Sequence, residues 1–186
     1  MAAPLKEKRK LTFEDYLKTP FDDRERYELI EGDLLLTPAP NIRHQRILGK
    51  LEFMIKTHVL EKGLGEVFFA PCDVVLDNEN VFQPDILFIS RERTGIITEP
   101  NIQGAPDLVI EILSPSTQYR DLGGKKRVYA RSGVKEYWIV DPEEKVVDVY
   151  TLEEKGFEVA GHCEDQDTIL SPLLEGLKIP LKGIFE

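Results

Sequence analysis

Apolar positions along the chain recur with two periods, one helical and one strand-like. Ile47, Leu48, Leu51, Met54, Ile55 and Val59 stand three and four apart, the spacing of a buried helix face. Asn41 can cap that helix, Gly63 and Gly65 end it, and the pattern predicts a helix to about Glu61. Ahead of it, Thr12 and Asp15 have capping-box spacing and open a short helix through Leu17. Arg26–Thr37 reads instead as two strand-like runs around Glu31-Gly32-Asp33, the signal of a hairpin.

The rest of the chain is mostly strand-like. Glu66–Leu76 is expected to be one strand, followed by a polar turn at Asp77–Asn80 and a second strand over Val81–Ser90. Residues 91–104 read as a loop. Val109, Ile110, Ile112 and Leu113, bounded by Pro106 and Pro115, form a short β-branched run that fits a central strand. Alternation puts Asp107, Val109, Glu111 and Leu113 on one face and Leu108, Ile110 and Ile112 on the other. Asp121, Lys125 and Tyr129 then line one stripe of a helix ended by Gly133. Glu136–Val140 and Val146–Leu152 read as strands around a turn at Pro142, and Leu170–Phe185 as an apolar tail covering a sheet edge. The expected fold class is α/β, an α+β sandwich with a mixed sheet flanked by helices and an N-terminal hairpin. Residues 1–11 would be a flexible basic arm and 12–186 a single domain.

Charge changes this picture only through its distribution. The 186 residues carry a net charge of −10. Residues 136–186 hold 13 acidic and 4 basic side chains, a net of −9, which leaves −1 for residues 1–135. Within 116–135 six basic residues face Asp121 alone, a net of +5. A basic helix and an acidic tail leave a nucleic-acid partner open. Two distant cysteines, Cys72 and Cys163, exclude a zinc knuckle and point to the reducing cytoplasm. No apolar run approaches the ~20 residues of a membrane span. Ser114, Ser116 and Thr117 have no histidine in a recognisable arrangement, which disfavours a serine hydrolase.

The chemistry concentrates on strand acids. Asp85, at the entrance of its strand, shares a face with Leu87 and Ile89, and Glu111 points out of an otherwise apolar strand. Charges there are costly unless paired or metal-bound. Hard oxygen donors without a thiol or histidine cluster select Mg²⁺ or Mn²⁺. Asp85 and Glu111 are therefore the candidate metal ligands and Lys125 the candidate stabiliser of a phosphoryl transition state. Lys125→Ala is expected to remove cleavage and leave folding intact. Asp107, Glu28 and His44 are supporting candidates, against ordinary roles in turns, solvent and core. Asp121 reads as a helix N-cap, and Tyr129 and Trp138 as core. Arg43, Arg46, Lys50, Lys126, Arg127 and Arg131 are candidate phosphate contacts. Lys126 would point to solvent or a phosphate.

A resemblance gathers these residues. Pro84-Asp85, Glu111 and a following lysine resemble the PD-(D/E)XK nuclease superfamily. P-D-L-V-I-E-I-L-S-P-S-T from Pro106, then Asp121, Lys125 and Tyr129, then G-V-K-E-Y-W-I-V-D-P from Gly133, look like its Uma family of restriction-endonuclease-like proteins. Tyr27–Gly32, His44 and Pro84–Ile89 extend the likeness over residues 12–185. The superfamily's lysine position, two residues after the acid, is Leu113 here. The resemblance implies that Lys125 supplies the ammonium from the helix. It also implies a Mg²⁺-dependent endonuclease acting on nucleic acid, DNA by preference, as a homodimer. A non-catalytic nucleic-acid-binding or regulatory module, and a partner-binding protein using the acidic tail, are the competing functions.

Overall fold

The computed structural model describes residues 9–22, 25–114 and 120–186. Most of the expected arm, together with Ser116 and Thr117, lies outside them. In chain order the elements are α1 (Phe13–Lys18), β1 (Arg26–Ile30), β2 (Asp33–Thr37), α2 (Ile42–Lys62), β3 (Gly65–Phe69), β4 (Val74–Asp77), β5 (Asn80–Phe82) and β6 (Ile86–Ser90). A 3₁₀ turn (Arg91–Ile96), β7 (Ile102–Gln103) and β8 (Leu108–Ile112) follow. A π-helical segment (Arg120–Lys125) runs into α3 (Lys126–Ser132), then β9 (Glu136–Asp141), β10 (Val146–Glu153), β11 (Gly156–Cys163), β12 (Thr168–Leu170), β13 (Lys178–Pro180) and a 3₁₀ turn (Leu181–Gly183).

These strands form a mixed α/β architecture. A six-stranded sheet has the order β11-β10-β9-β8-β6-β3, and a five-stranded sheet the order β2-β1-β5-β4-β7. β8 and β9 run parallel, while β6 and β8 run antiparallel with Ile86 opposite Ile110. One face of the larger sheet presents Ile86, Phe88, Leu108, Ile110, Trp138 and Val140 to the inner stripe of α2. The other presents Val109, Leu113, Tyr137 and Ile139 to α3 and to Ile30 and Phe82 of the smaller sheet. The alternation read along β8 thus sorts its side chains onto these two faces.

Caps fix the helix ends as expected. Thr12 and Asp15 form the capping box of α1, and Asn41 Oδ1 accepts from His44 N–H at 2.9 Å. Gly63 ends α2 in the left-handed region at φ 60, where a side chain would be strained.

Three expectations need correction. The single strands expected over Glu66–Leu76 and Val81–Ser90 each divide in two, with the halves in different sheets. Pro71 and Pro84 stand at the two breaks. Proline donates nothing to a ladder, so pairing stops there and the chain crosses between sheets. The C-terminal tail lies against the outer strand β11 through β12, and its Leu174, Leu177, Ile179, Leu181 and Ile184 also join the α2-side core. The expected loop at 91–104 holds a 3₁₀ turn and β7, and β11 was not legible, because an outermost strand with a largely exposed surface carries weak alternation.

Candidate active site

Asp85 stands where the chain returns from the small sheet to β6. The register of β6 on β8, Ile86 opposite Ile110 and Leu87 opposite Val109, continues to place Asp85 opposite Glu111. Directly opposed residues of an antiparallel pair have Cβ atoms about 4.5–5.5 Å apart. Regular pairing ends at this point, and the Asp85 carboxylate takes over the ladder, its Oδ2 accepting from Ile112 N–H at 2.8 Å. Oδ2 also lies 3.1 Å from His44 Nε2. A carboxylate only accepts, so Nε2 carries the donated proton. Asp85, Glu111, His44, Asp121 and Lys125 together line a cleft of about 160 Å³, closed on one side by residues 37–41.

Lys125 is the centre of charge. It is buried, with its Nζ 2.8 Å from Glu28 Oε1, 3.1 Å from Glu111 Oε1 and 3.4 Å from Asp121 Oδ1. Asp121 and Lys125 belong to the π segment and Tyr129 to α3, and their four-residue spacing keeps all three on the stripe that faces β8. Tyr129 donates its hydroxyl to the same Glu111 Oε1 at 2.7 Å. None of these bonds reaches Asp85 Oδ1 or Glu111 Oε2.

One ammonium serves three carboxylates here, with Asp85 beside them, and the proton affinities follow. Burial pushes the Glu111 carboxyl well above the usual range; Lys125 opposes this, and Asp121, Asp85 and Glu28 add to it. Burial alone would lower Lys125, but Glu111, Glu28 and Asp121 outweigh it and hold the amine well above its ordinary value. Three carboxylates around one amine thus favour its charged form. Burial, then Glu111, raises the Tyr129 phenol well above its ordinary value, so it remains a donor.

Three residues differ from their sequence reading. Glu28, a supporting candidate weighed against a solvated hairpin position, is buried because β1 is an inner strand between β2 and β5. Its Oε1 accepts from Gln83 N–H at 2.8 Å in addition to facing Lys125, and Thr37 Oγ1 donates to Oε2 at 3.4 Å. Asp121, read as a cap, is buried against Lys125. Tyr129 is core as expected, but its hydroxyl also holds Glu111. The four-residue spacing of Asp121, Lys125 and Tyr129 is the signal that could have assigned both.

Other candidates lie elsewhere. Asp107, on the same face of β8 as Glu111, sits at the far end of the strand and does not line this cleft. It accepts from Arg93 at 3.0 Å and Ser90 N–H at 2.8 Å, and Lys135 Nζ stands 2.7 Å away. The basic residues do not form one patch. Arg43 bonds Glu143 and the Pro142 carbonyl, and Lys50 the Glu186 carbonyl. Arg127 and Arg131 turn toward Glu31, while Arg46 is exposed on α2. Lys126, expected to point to solvent or a phosphate, lies over the Tyr150 ring with Nζ 3.3 Å from its centroid. Arg26, not anticipated, lines the cleft mouth.

Comparison with known proteins supplies the remaining context. The Uma2 family model, described as "Putative restriction endonuclease", matches residues 13–182. The chain is 29% identical over 153 residues to the uncharacterised protein slr1290 of Synechocystis sp., spanning 79% of this chain and 77% of that protein. A crystal structure described as a putative nuclease belonging to DUF820, from Anabaena variabilis, shares the fold with a TM-score of 0.79. It is 24% identical, over 94% of this chain and 97% of the other.

Proposed function

The chain belongs to the Uma2 family of restriction-endonuclease-like proteins, and from that premise we propose that its cleft hydrolyses phosphodiester bonds of nucleic acid, DNA in the first instance, with a divalent cation. The observation that carries this reading is the pairing of Asp85 and Glu111 across adjacent strands in one cleft with a buried ammonium. The donor set fits Mg²⁺ or Mn²⁺. No group of three or more His, Cys, Asp or Glu able to hold a metal occurs among the described residues. Mg²⁺ commonly takes only one or two carboxylates and keeps several waters. Asp85 and Glu111 would hold it, and the surplus of buried acid over Lys125 would favour its binding. When bound, such a cation supplies positive charge to the phosphate and lowers the pKa of a water.

The chain's own residues account for the rest. Tyr129 and Lys125 fix Glu111 through one oxygen, and His44 and Ile112 N–H fix Asp85 in the same way. Lys125 keeps its proton, so it acts as a fixed charge that stabilises the developing negative phosphoryl oxygens, not as a general base. Glu28 and Asp121 hold its ammonium in place. The N-terminus of α2, at Asn41–His44, borders the cleft and turns the positive end of a 21-residue helix toward an incoming phosphate. Cutting both strands of a duplex would require two copies of this site.

Calorimetric titration with Mn²⁺ tests the reading, alongside cleavage of supercoiled plasmid. Asp85→Asn and Glu111→Gln should each weaken Mn²⁺ binding by roughly tenfold or more and abolish nicking. Unchanged Mn²⁺ affinity in both variants would place any metal elsewhere. The deep burial of Lys125 favours one second reading, a module that binds nucleic acid without cutting it. Retained DNA binding with no cleavage at any divalent ion would select that reading.

A further inference from the structure

Strand β3 is, with β11, one of the two outer strands of the six-stranded sheet among the described residues. On its inner side Arg91 N–H donates to Leu64 O at 2.8 Å and Ala70 N–H to Asp85 O at 3.1 Å. Antiparallel bonding alternates along a strand, so Glu66 and Phe68 also bond inward, toward β6. The N–H and C=O groups of Gly65, Val67 and Phe69 therefore point outward. Proteins usually blunt such an edge with charge or proline, or cover it. Here it forms the floor of a groove of about 890 Å³. One wall is α2, through Lys56, Val59 and Leu60; the other is residues 97–102 leading into β7, the outer strand of the smaller sheet.

The two sides of the groove differ in chemistry. Val67 belongs to the α2-side core, so Phe69 shares that side, near Lys56. Leu60 and Phe69 are 66% and 47% exposed there, an apolar strip beside unpaired backbone. Glu66 faces the opposite way, and Asp73 and Glu99 line the same groove. Among the described residues Lys56 is the only basic one in the lining, and it is already paired with Glu52 at 3.1 Å.

We propose that this groove binds an extended peptide segment, with apolar and basic residues in alternation, as an added strand on β3. Its backbone pairs with Gly65, Val67 and Phe69, its apolar side chains cover Leu60 and Phe69, and its basic side chains meet Glu66, Asp73 and Glu99. The proposal is independent of the nuclease reading.

The test uses the full chain and a fluorescein-labelled Lys-Leu-Lys-Leu-Lys-Leu peptide, with fluorescence anisotropy and NMR amide exchange as readouts. The peptide should bind and slow exchange at the Val67 and Phe69 amides by roughly tenfold or more. Glu99→Lys, on a surface turn, should weaken binding several-fold. A Lys-Leu-Lys-Pro-Lys-Leu peptide should fail, because proline removes a ladder donor. The proposal falls if the first peptide does not bind at about 1 mM, if it binds without protecting those two amides, or if the proline peptide binds equally well. It also falls if the free chain is a dimer in which both amides are already protected, since a second copy would then fill the groove.

Discussion

Strand β8 carries a buried carboxylate near each end, and the two live in opposite electrostatic surroundings. Asp107 is one acid between two cations, with Arg93 at 3.0 Å, Lys135 at 2.7 Å and the Ser90 N–H completing its bonds. Burial pushes its carboxyl up, but the bonds from Lys135, Ser90 and Arg93 outweigh this and hold it below the usual range. Glu111 shares a single ammonium with Glu28 and Asp121 and has Asp85 opposite, and its carboxyl is held well above that range. Burial alone therefore does not set the direction in which a buried acid's proton affinity moves. The ratio of acids to cations does. The Asp107 end has more cations than acids and is closed, whereas the Glu111 end has more acids than cations and opens to a cleft.

Removing the lysine at each end should break the symmetry most. Lys125→Ala strands three buried carboxylates, so it should cost about 3–5 kcal/mol of stability and about 10²–10³ in cleavage rate. The burial of Lys125 argues against the expectation that this substitution spares the fold. Lys135 is half-exposed and leaves Arg93 on Asp107, so Lys135→Ala should cost less than about 1 kcal/mol. Urea unfolding of both variants decides this, and equal losses would erase the contrast.

The acids should respond in the reverse order. Asp107→Asn weakens charge-assisted bonds to two cations and should cost about 2–3 kcal/mol. Glu111→Gln relieves crowding among like charges and should change stability by less than about 1 kcal/mol, even as it removes function. A Glu111→Gln protein as unstable as Asp107→Asn would show that the acid surplus is not real.

Acid titration should sharpen the same point. The folded-state pKa of Asp107 lies below its unfolded value of about 3.9, so its contribution is present above that pH. It is lost as pH falls through the folded value. Urea midpoints followed downward from pH 5 should fall less steeply in Asp107→Asn than in the native chain. Identical slopes would remove Asp107 from the account.

The smallest effect concerns nucleic acid. Arg46→Ala, on the helix that begins at the Asp85 end, should reduce the slope of log affinity against log salt by about 0.9. Lys135→Ala, at the closed end, should leave that slope unchanged. Filter-binding measurements across salt concentrations would distinguish them.

Much of the site could be read from local pattern, and its missing parts have physical explanations. The hairpin sequence made Glu28 a supporting candidate and no more, because the same residues on an outer strand would sit in water. Asp107 shares a face with Glu111 by alternation, yet four residues of strand place it about 13 Å away, in a different environment. Pro84 was read only as part of a motif, although it marks the point at which the chain crosses between sheets.

What the sequence by itself determined was therefore local and periodic. It includes α2 and its caps, the two faces of β8, the spacing of Asp121, Lys125 and Tyr129, and the hard-oxygen character of the acids. Those follow from helical and strand periods and from side-chain chemistry, which need no distant partner. The tertiary structure decided the rest. The pairing of β6 on β8 set Asp85 opposite Glu111, and the placing of β1 inside its sheet buried Glu28 against Lys125. Contacts between residues far apart in the chain depend on which sheet each strand joins and in what register, and no short-range pattern encodes that choice.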